Sequence, residues 1–236
     1  FVKRGIVIIE GDMEQNIDGL DMGKTIELSY DLEFDNFWAV GGGCYKIMEH
    51  YDDRKIILDY SQNEFGPSIF IPEILGTHLS ISTDKHRVFW TTLTLTSASN
   101  TRSDVERGFY AELIYNPNPY INFSASYDNY RLTKKYHWLE SFFEHDGIHH
   151  IFSDLQREID ILTFRVTGNM NRKLSLQGYL ELFSNHDMFD AMSYSEYDAT
   201  INDYKQTSYI LGGWEDKEGQ VMGSIYSQDL TELAEE

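Results

Sequence analysis

The chain of 236 residues has one cysteine, Cys44, and four prolines. A single thiol cannot close an intrachain disulfide, so a disulfide-stapled scaffold and any cysteine-based zinc cluster are excluded. No apolar run approaches the ~20 residues of a membrane-spanning helix, and no stretch carries a convincing amphipathic helical period. Cations are scarce: 19 Lys and Arg stand against 39 Asp and Glu, a net charge of -20. With no basic stripe to neutralise phosphates, nucleic acid is not a partner class for this chain.

What is abundant is alternation. From Ile26 to Asp35 five apolar residues (Ile26, Leu28, Tyr30, Leu32, Phe34) alternate with five polar ones (Glu27, Ser29, Asp31, Glu33, Asp35). A strand sends successive side chains to opposite faces, so this pattern predicts one apolar face and one mostly acidic face. Ten residues at about 3.3 Å each cross a tilted bilayer as one strand. Clean alternation recurs at 120–130 and 174–183, and aromatics reach 14% with 16 Tyr and 14 Phe. Tyr suits pleated surfaces and also the aromatic girdles of membrane barrels.

Eleven or twelve strands are predicted. The first is the apolar run at 5–10, followed by a loop from Gly11 to Lys24. A strand at 38–50 carries Gly41-Gly42-Gly43, which implies a bend or a close backbone approach. Further strands are predicted at 77–83, 87–97, 108–115, 120–130, 134–143, 148–155, 158–167, 174–183, 206–215 and 220–228. Turns are placed at Asn116-Pro117-Asn118-Pro119 and Glu144-His145-Asp146-Gly147, and a long polar loop at 184–205. A mixture of short turns and long polar loops is the habit of outer-membrane barrels.

Chemistry-bearing patterns are few. Glu27, Asp31, Glu33 and Asp35 share a strand face, with neighbours two apart roughly 6–7 Å from each other. Paired carboxylates can hydrolyse glycosides, whereas an acidic row facing water needs no chemistry at all. His145, His149 and His150 lie near Asp146 and Asp154, but His149 and His150 alternate in direction, and no His-Glu-x-x-His helix is present. Asp52-Asp53 and Asp187 with Asp190 lack EF-hand spacing. No Gly-x-Ser-x-Gly elbow occurs. No catalytic residue, metal ligand or cofactor is expected.

Three stretches resemble, in order, a family of bacterial proteins that joins a family-nine-type carbohydrate-binding domain to a long C-terminal domain of unknown function, thought to be an outer-membrane β-barrel. Phe152-Ser153-Asp154-Leu155-Gln156 through Leu162 to Val166 and Leu174-Ser175-Leu176-Gln177-Gly178-Tyr179 is similar to its strand-turn-strand. Trp38, Tyr51-Asp52-Asp53-Arg54 and Gly66-Pro67 are similar to a second region. Trp214-Glu215 with Gly219 resembles its closing hairpin, although Gly213 stands where that family has Arg. The resemblance covers about residues 25–228 and implies a fold and a link to glycans, with no catalytic residues to carry over.

These readings converge on an all-β, antiparallel, up-and-down transmembrane β-barrel over 1–236, ending in an acidic tail at 229–236. The chain is expected to be the C-terminal part of a larger barrel in a bacterial outer membrane, acting as pore, receptor or surface anchor. Expected partners are outer-membrane lipid, a glycan or other small ligand, and envelope proteins. Ile26, Leu28, Tyr30, Leu32 and Phe34 would face lipid; Glu27, Ser29, Asp31, Glu33 and Asp35 would face the lumen. The alternatives are a soluble carbohydrate-binding β-sandwich or barrel, and a glycoside hydrolase.

Overall fold

A computed structural model describes residues 1–17, 19, 21–59, 64–144, 147–171, 174–190, 195–198, 203–206, 210–215 and 221–226. His145, Asp146 and the acidic tail at 229–236 lie outside the described residues. Every regular element is a strand: β1 (Val2–Gln15), β2 (Asp21–Phe34), β3 (Ala39–Ile47), the short β4 (His50–Asp52), β5 (Ile57–Asp59), β6 (Glu64–Phe65) and β7 (Ile69–Ile71), then β8 (Ile74–Ser82), β9 (Phe89–Asn100), β10 (Val105–Asn118), β11 (Ile121–Glu144), β12 (Gly147–Asn171), β13 (Leu174–Phe189), β14 (Ser195–Asp198), β15 (Asp203–Gln206), β16 (Ile210–Glu215) and β17 (Val221–Tyr226).

The chain divides into two compact units. The first comprises Phe1–Tyr51, Ile71–Thr133 and Gln156–Asp187; the second comprises Asp52–Phe70, Lys134–Leu155 and Met188–Glu236. In the first unit neighbours along the chain are neighbours in the sheet, in the order β1-β2-β3-β8-β9-β10-β11-β12, with β13 also on β12. The pairings from β1 to β11 are antiparallel throughout. This is an up-and-down meander. Among the described residues no strand pairs with the free side of β1, and the sheet is open, not closed into a barrel.

Several sequence boundaries are corrected. The predicted loop at Gly11–Lys24 is mostly ladder: Gly11 pairs with Ile26, Glu14 with Gly23 and Gln15 with Asp21. The strands expected at 120–130 and 134–143 are one strand, β11, and those at 148–155 and 158–167 are one strand, β12. Asn116 to Asn118 stay extended at the end of β10, and the bend falls at 119–120. The long loop expected at 184–205 contains the end of β13, β14 and β15. In each case backbone pairing carries a strand past the point where side-chain contrast fades.

The first unit's connections are unequal at its two ends. Those after β2, β8 and β10 are tight: Phe34 N–H donates to Trp38 O at 2.9 Å, Thr83 N–H to Thr91 O at 2.9 Å, and Tyr120 N–H to Asn118 Oδ1 at 2.9 Å. At the opposite end lengths differ: Asn100 N–H donates to Asp104 O at 3.2 Å in the tight turn from β9 to β10, whereas the chain from Ile47 of β3 to Ile74 of β8 is long.

The second unit holds the conventional core. Ile56, Ile69, Ile151, Phe152 and Leu155 are fully buried. Its polar groups are tied down: Trp138 Nε1–H donates to Ser141 Oγ at 3.1 Å, Ser141 Oγ lies 2.8 Å from His150 Nδ1, and Ser153 Oγ donates to Asp190 O at 3.0 Å. Asp198 pairs with Asp203 across β14 and β15.

The three glycines of β3 show why a side chain is excluded there. A Cβ on Gly43 would sit 2.6 Å from the Leu28 carbonyl oxygen and 2.8 Å from His78 Cε1. The first of these is backbone and cannot swing aside. Gly43→Ala is therefore expected to cost about 1–3 kcal/mol of stability. Denaturant titration of the folded chain would read this; an unchanged midpoint would show that β2 and β3 can separate freely.

Candidate functional site

From β1 to β11 the registers assign side chains to one of two faces, because directly opposed residues in an antiparallel pair lie on the same side. Starting from Tyr30, the ladder runs through Gly42, Leu79, Leu95 and Phe109 to Asn129. On that side lie Ile26, Leu28, Leu32, Val40, Ile81, Leu93, Leu113, Tyr115, Phe123 and Tyr127. On the other lie Glu27, Ser29, Asp31, Glu33, His78, Ser80, Thr92, Thr94, Glu112 and Asp128.

Burial is inverted with respect to polarity. The apolar face is open: Ile26 is 52% exposed, Leu75 59%, Leu95 52% and Leu180 54%. On the polar face of the same strands Gly76, Ser82 and Ala98 are buried. A sheet curved toward its polar side shields that side and spreads the other. Among the described residues, the first unit has no fully buried large apolar side chain. Its apolar residues form an exposed belt, and soluble monomers rarely leave more than a few hundred Å² of contiguous apolar surface open.

The belt is not perpendicular to the strands. On β2 it spans Ile26 to Phe34 and centres on Tyr30. Following the ladder straight across leads to Asn129 on β11, yet the apolar residues of that face are Ile121, Phe123, Ala125 and Tyr127. The belt has drifted by about five positions over five strand steps. At about 3.3 Å per residue and about 4.8 Å between strands, this is a slope of roughly 35°. Barrel strands tilt by about 35–45° relative to their axis. The nine residues of the β2 belt, about 30 Å along the strand, give a height of about 24 Å at that tilt, against a belt of about 25 Å in outer-membrane barrels.

At the long-connection margin the belt ends in charge. Lys24 pairs with Asp21, Lys46 Nζ lies 2.6 Å from Glu73, and Arg131 pairs with Glu158. Asp160 accepts from Tyr127 and, at 2.9 Å, from Asn129. On the polar face, Thr94 Oγ1 donates to Ser80 Oγ at 3.2 Å, and Arg157 grips Asp187 with two bonds of 2.8 and 2.6 Å.

The ten residues singled out from the sequence fall as follows. Ile26 and Leu28 are exposed on the apolar face, and Tyr30, Leu32 and Phe34 are half-buried on it. Glu27, Ser29 and Glu33 are half-buried on the polar face, and Asp31 is exposed there. Asp35 lies beyond β2 in the turn and binds the N-terminal amine of Phe1, so it does not extend the row. Glu33 is engaged by Lys3 Nζ at 2.7 Å. His149 is half-buried and His150 buried on β12, and no group of three His, Cys, Asp or Glu among the described residues could hold a metal ion.

The turn after β8 was not singled out. Asp84 is buried there and accepts from the His86 backbone N–H at 2.9 Å, contacts His86 Nδ1 at 2.9 Å, and accepts from Arg87 Nε at 3.1 Å. The available signal was Lys85-His86-Arg87, a basic run in an acidic chain.

No protein-family model, curated protein or solved structure matches the chain. No helix among the described residues is long and apolar enough to cross a membrane, which has no bearing on crossing by strands.

The contacts of Asp84, first the His86 backbone N–H and then the His86 and Arg87 side chains, hold its carboxyl below the ordinary 3.8. A lowered folded-state value contributes stability that is present above the unfolded value and lost as pH falls through the folded one. The turn should therefore stay tethered at pH 5 and above and loosen in acid below about 3.8. An NMR titration of the Asp84 carboxyl carbon should give a midpoint below 3.8; a midpoint at or above it would show that the tether does not form.

Proposed function

We propose that the first unit is the wall of an outer-membrane β-barrel whose apolar belt meets lipid and whose polar face lines a lumen. The observation that carries this reading is the belt itself: exposed, continuous over the sheet, drifting across the registers at a barrel's tilt, and of a bilayer's height. In hydrocarbon every backbone group must pair, and a closed sheet is how strands achieve this. The open side of β1 then joins further strand, from this polypeptide or from another copy. The role is that of a pore, receptor or surface anchor, without catalysis. The link to glycans rests on the motif resemblance. A soluble sandwich would pack this apolar face against a second sheet, and among the described residues none covers it.

Fractionation of native cells with a heat-modifiability gel tests the proposal. The expected result is an outer-membrane band whose mobility shifts on boiling; recovery of a soluble, unshifted chain would overturn it. A single substitution discriminates as sharply. Leu93, 43% exposed at mid-belt on β9, should tolerate Arg in water, whereas in a bilayer Leu93→Arg should cost about 2–4 kcal/mol. At the belt margin Ser97→Arg should cost about 0–1 kcal/mol. Equal effects at the two positions in a lipid-folding titration would argue against lipid on this face. Because the polar face carries Glu27, Asp31, Glu33, Glu112 and Asp128, an open lumen should prefer cations. Single-channel recording with an anion preference would refute that assignment.

A further inference from the structure

Where the polar face ends at the tight-turn side, the first unit has an open cavity of about 520 Å³ that faces solvent, with the His86 and Arg87 side chains 74% and 79% exposed. It lies among the turn after β8 (Lys85 to Val88), the bend between β10 and β11 (Asn116 to Asn122), and Thr167 and Asn169 of β12. In a chain with 39 acidic and 19 basic residues, none of the thirteen residues lining it is acidic, and Lys85, His86 and Arg87 all reach it. The local charge is opposite to that of the polar face beyond, where Glu112 and Asp128 stand.

The walls are tied together by hydrogen bonds. Asn116 N–H donates to Val88 O at 2.6 Å, which joins the first turn to the bend. Asn169 N–H donates to Tyr120 O at 2.8 Å, which joins the bend to β12. Asn122 Nδ2 donates to Asn116 Oδ1 at 2.6 Å and fixes both amides. The cations are positioned as well. Lys85 Nζ lies 5.3 Å from the centre of the Trp90 ring, and Arg87 meets Asp84 through Nε, which leaves its terminal nitrogens for a second anion. His86 stacks edge-on against Phe37 at 4.7 Å.

We infer that this cavity is a binding site for a small polyhydroxylated anion, the class that includes sugar acids and sugar phosphates. Lys85 and Arg87 would take the carboxylate or phosphate, because guanidinium and ammonium groups are the natural partners of such oxygens. The Asn116, Asn122 and Asn169 amides and the Thr167 hydroxyl offer donors and acceptors in the pattern a set of hydroxyls requires. Tyr120 and the flanking prolines provide an apolar wall. The volume lies within the usual range for small-ligand pockets, about 300–1,000 Å³. The inference rests on the barrel reading only for placing the site at a lumen mouth. There the acidic face beyond would repel the captured anion, so the site retains its ligand instead of conducting it.

The test is calorimetric titration of the full chain with glucuronate, glucose 6-phosphate, glucose and inorganic phosphate. Heat-modifiability and membrane fractionation are read on the same preparation. Both anionic sugars should bind at least tenfold more tightly than glucose and than inorganic phosphate. Lys85→Gln with Arg87→Gln should weaken both at least tenfold, with the mobility shift on boiling unchanged. Lys85→Gln alone, which leaves the Asp84 tether intact, should weaken binding in the same direction. Glucose binding as tightly as glucuronate would overturn the role of charge, and phosphate binding as tightly as glucose 6-phosphate would overturn the role of the hydroxyls. No binding by either anionic sugar would overturn the site while a heat shift still supported the barrel. Tight binding by a soluble, unshifted chain would support the site and remove the barrel.

Discussion

The inter-strand hydrogen-bond ladder is the constraint on which the rest of the structure depends. With a side-chain period of two, a slip of one residue in any pairing would exchange the two faces of that strand. Leu79 opposite Leu95, and Leu95 opposite Phe109, hold apolar groups in register from strand to strand. The same ladder sets Glu27 opposite Tyr45 and Ser80 opposite Thr94 on the other side. From β2 to β11 the pairing sorts polarity, whereas β1 sets Ile6 opposite Asp31 and Ile8 opposite Ser29 on the polar side. In the second unit Ile56, Ile69, Phe152 and Leu155 are buried in the ordinary way.

Much of this arrangement was legible in the amino-acid order. Ile26 to Phe34 announces a strand with two unlike faces, and the absence of helical periodicity announces an all-β chain. The glycines at 41–43 read as a close approach, and they are one. What was illegible follows from what alternation encodes. The segments Gly11–Gln15 and Ser184–Asp187 are polar on both faces apart from Met13, so the contrast that marks a strand fades while the backbone continues in strand. The long β11 and β12 appear broken in sequence for the same reason, since Arg131 to Lys135 interrupts the apolar series without interrupting the ladder. The basic cavity is not legible in the sequence because it is assembled from strand ends and turns at 85–88, 116–122 and 167–169, which are distant along the chain.

The slope of the belt is a property of the registers and the sequence together, and neither contains it alone. Sequence gives the apolar stretch on each strand; pairing gives the lateral correspondence between strands. Their mismatch, Tyr30 leading to Asn129 instead of to Phe123 or Ala125, is where tilt is recorded. A flat soluble sheet has no reason to displace its apolar stretch steadily in one direction from strand to strand. Water penalises exposed apolar area wherever it lies, whereas a planar slab penalises it by depth.

A belt about 24 Å high is also a ruler. Hydrocarbon cores differ in thickness by several ångströms among cellular membranes, and each ångström of mismatch costs a fraction of a kcal/mol. Summed around a wall of many strands, a penalty that is negligible for one helix becomes decisive. The ion pairs of Lys24, Lys46 and Arg131 at the belt's margin sharpen this selection, because sinking the wall into a thicker slab would draw them into hydrocarbon. On the proposed barrel reading, a belt this short would match the bacterial outer membrane, which is thinner than average, and thickness would then select the protein's surroundings by geometry alone.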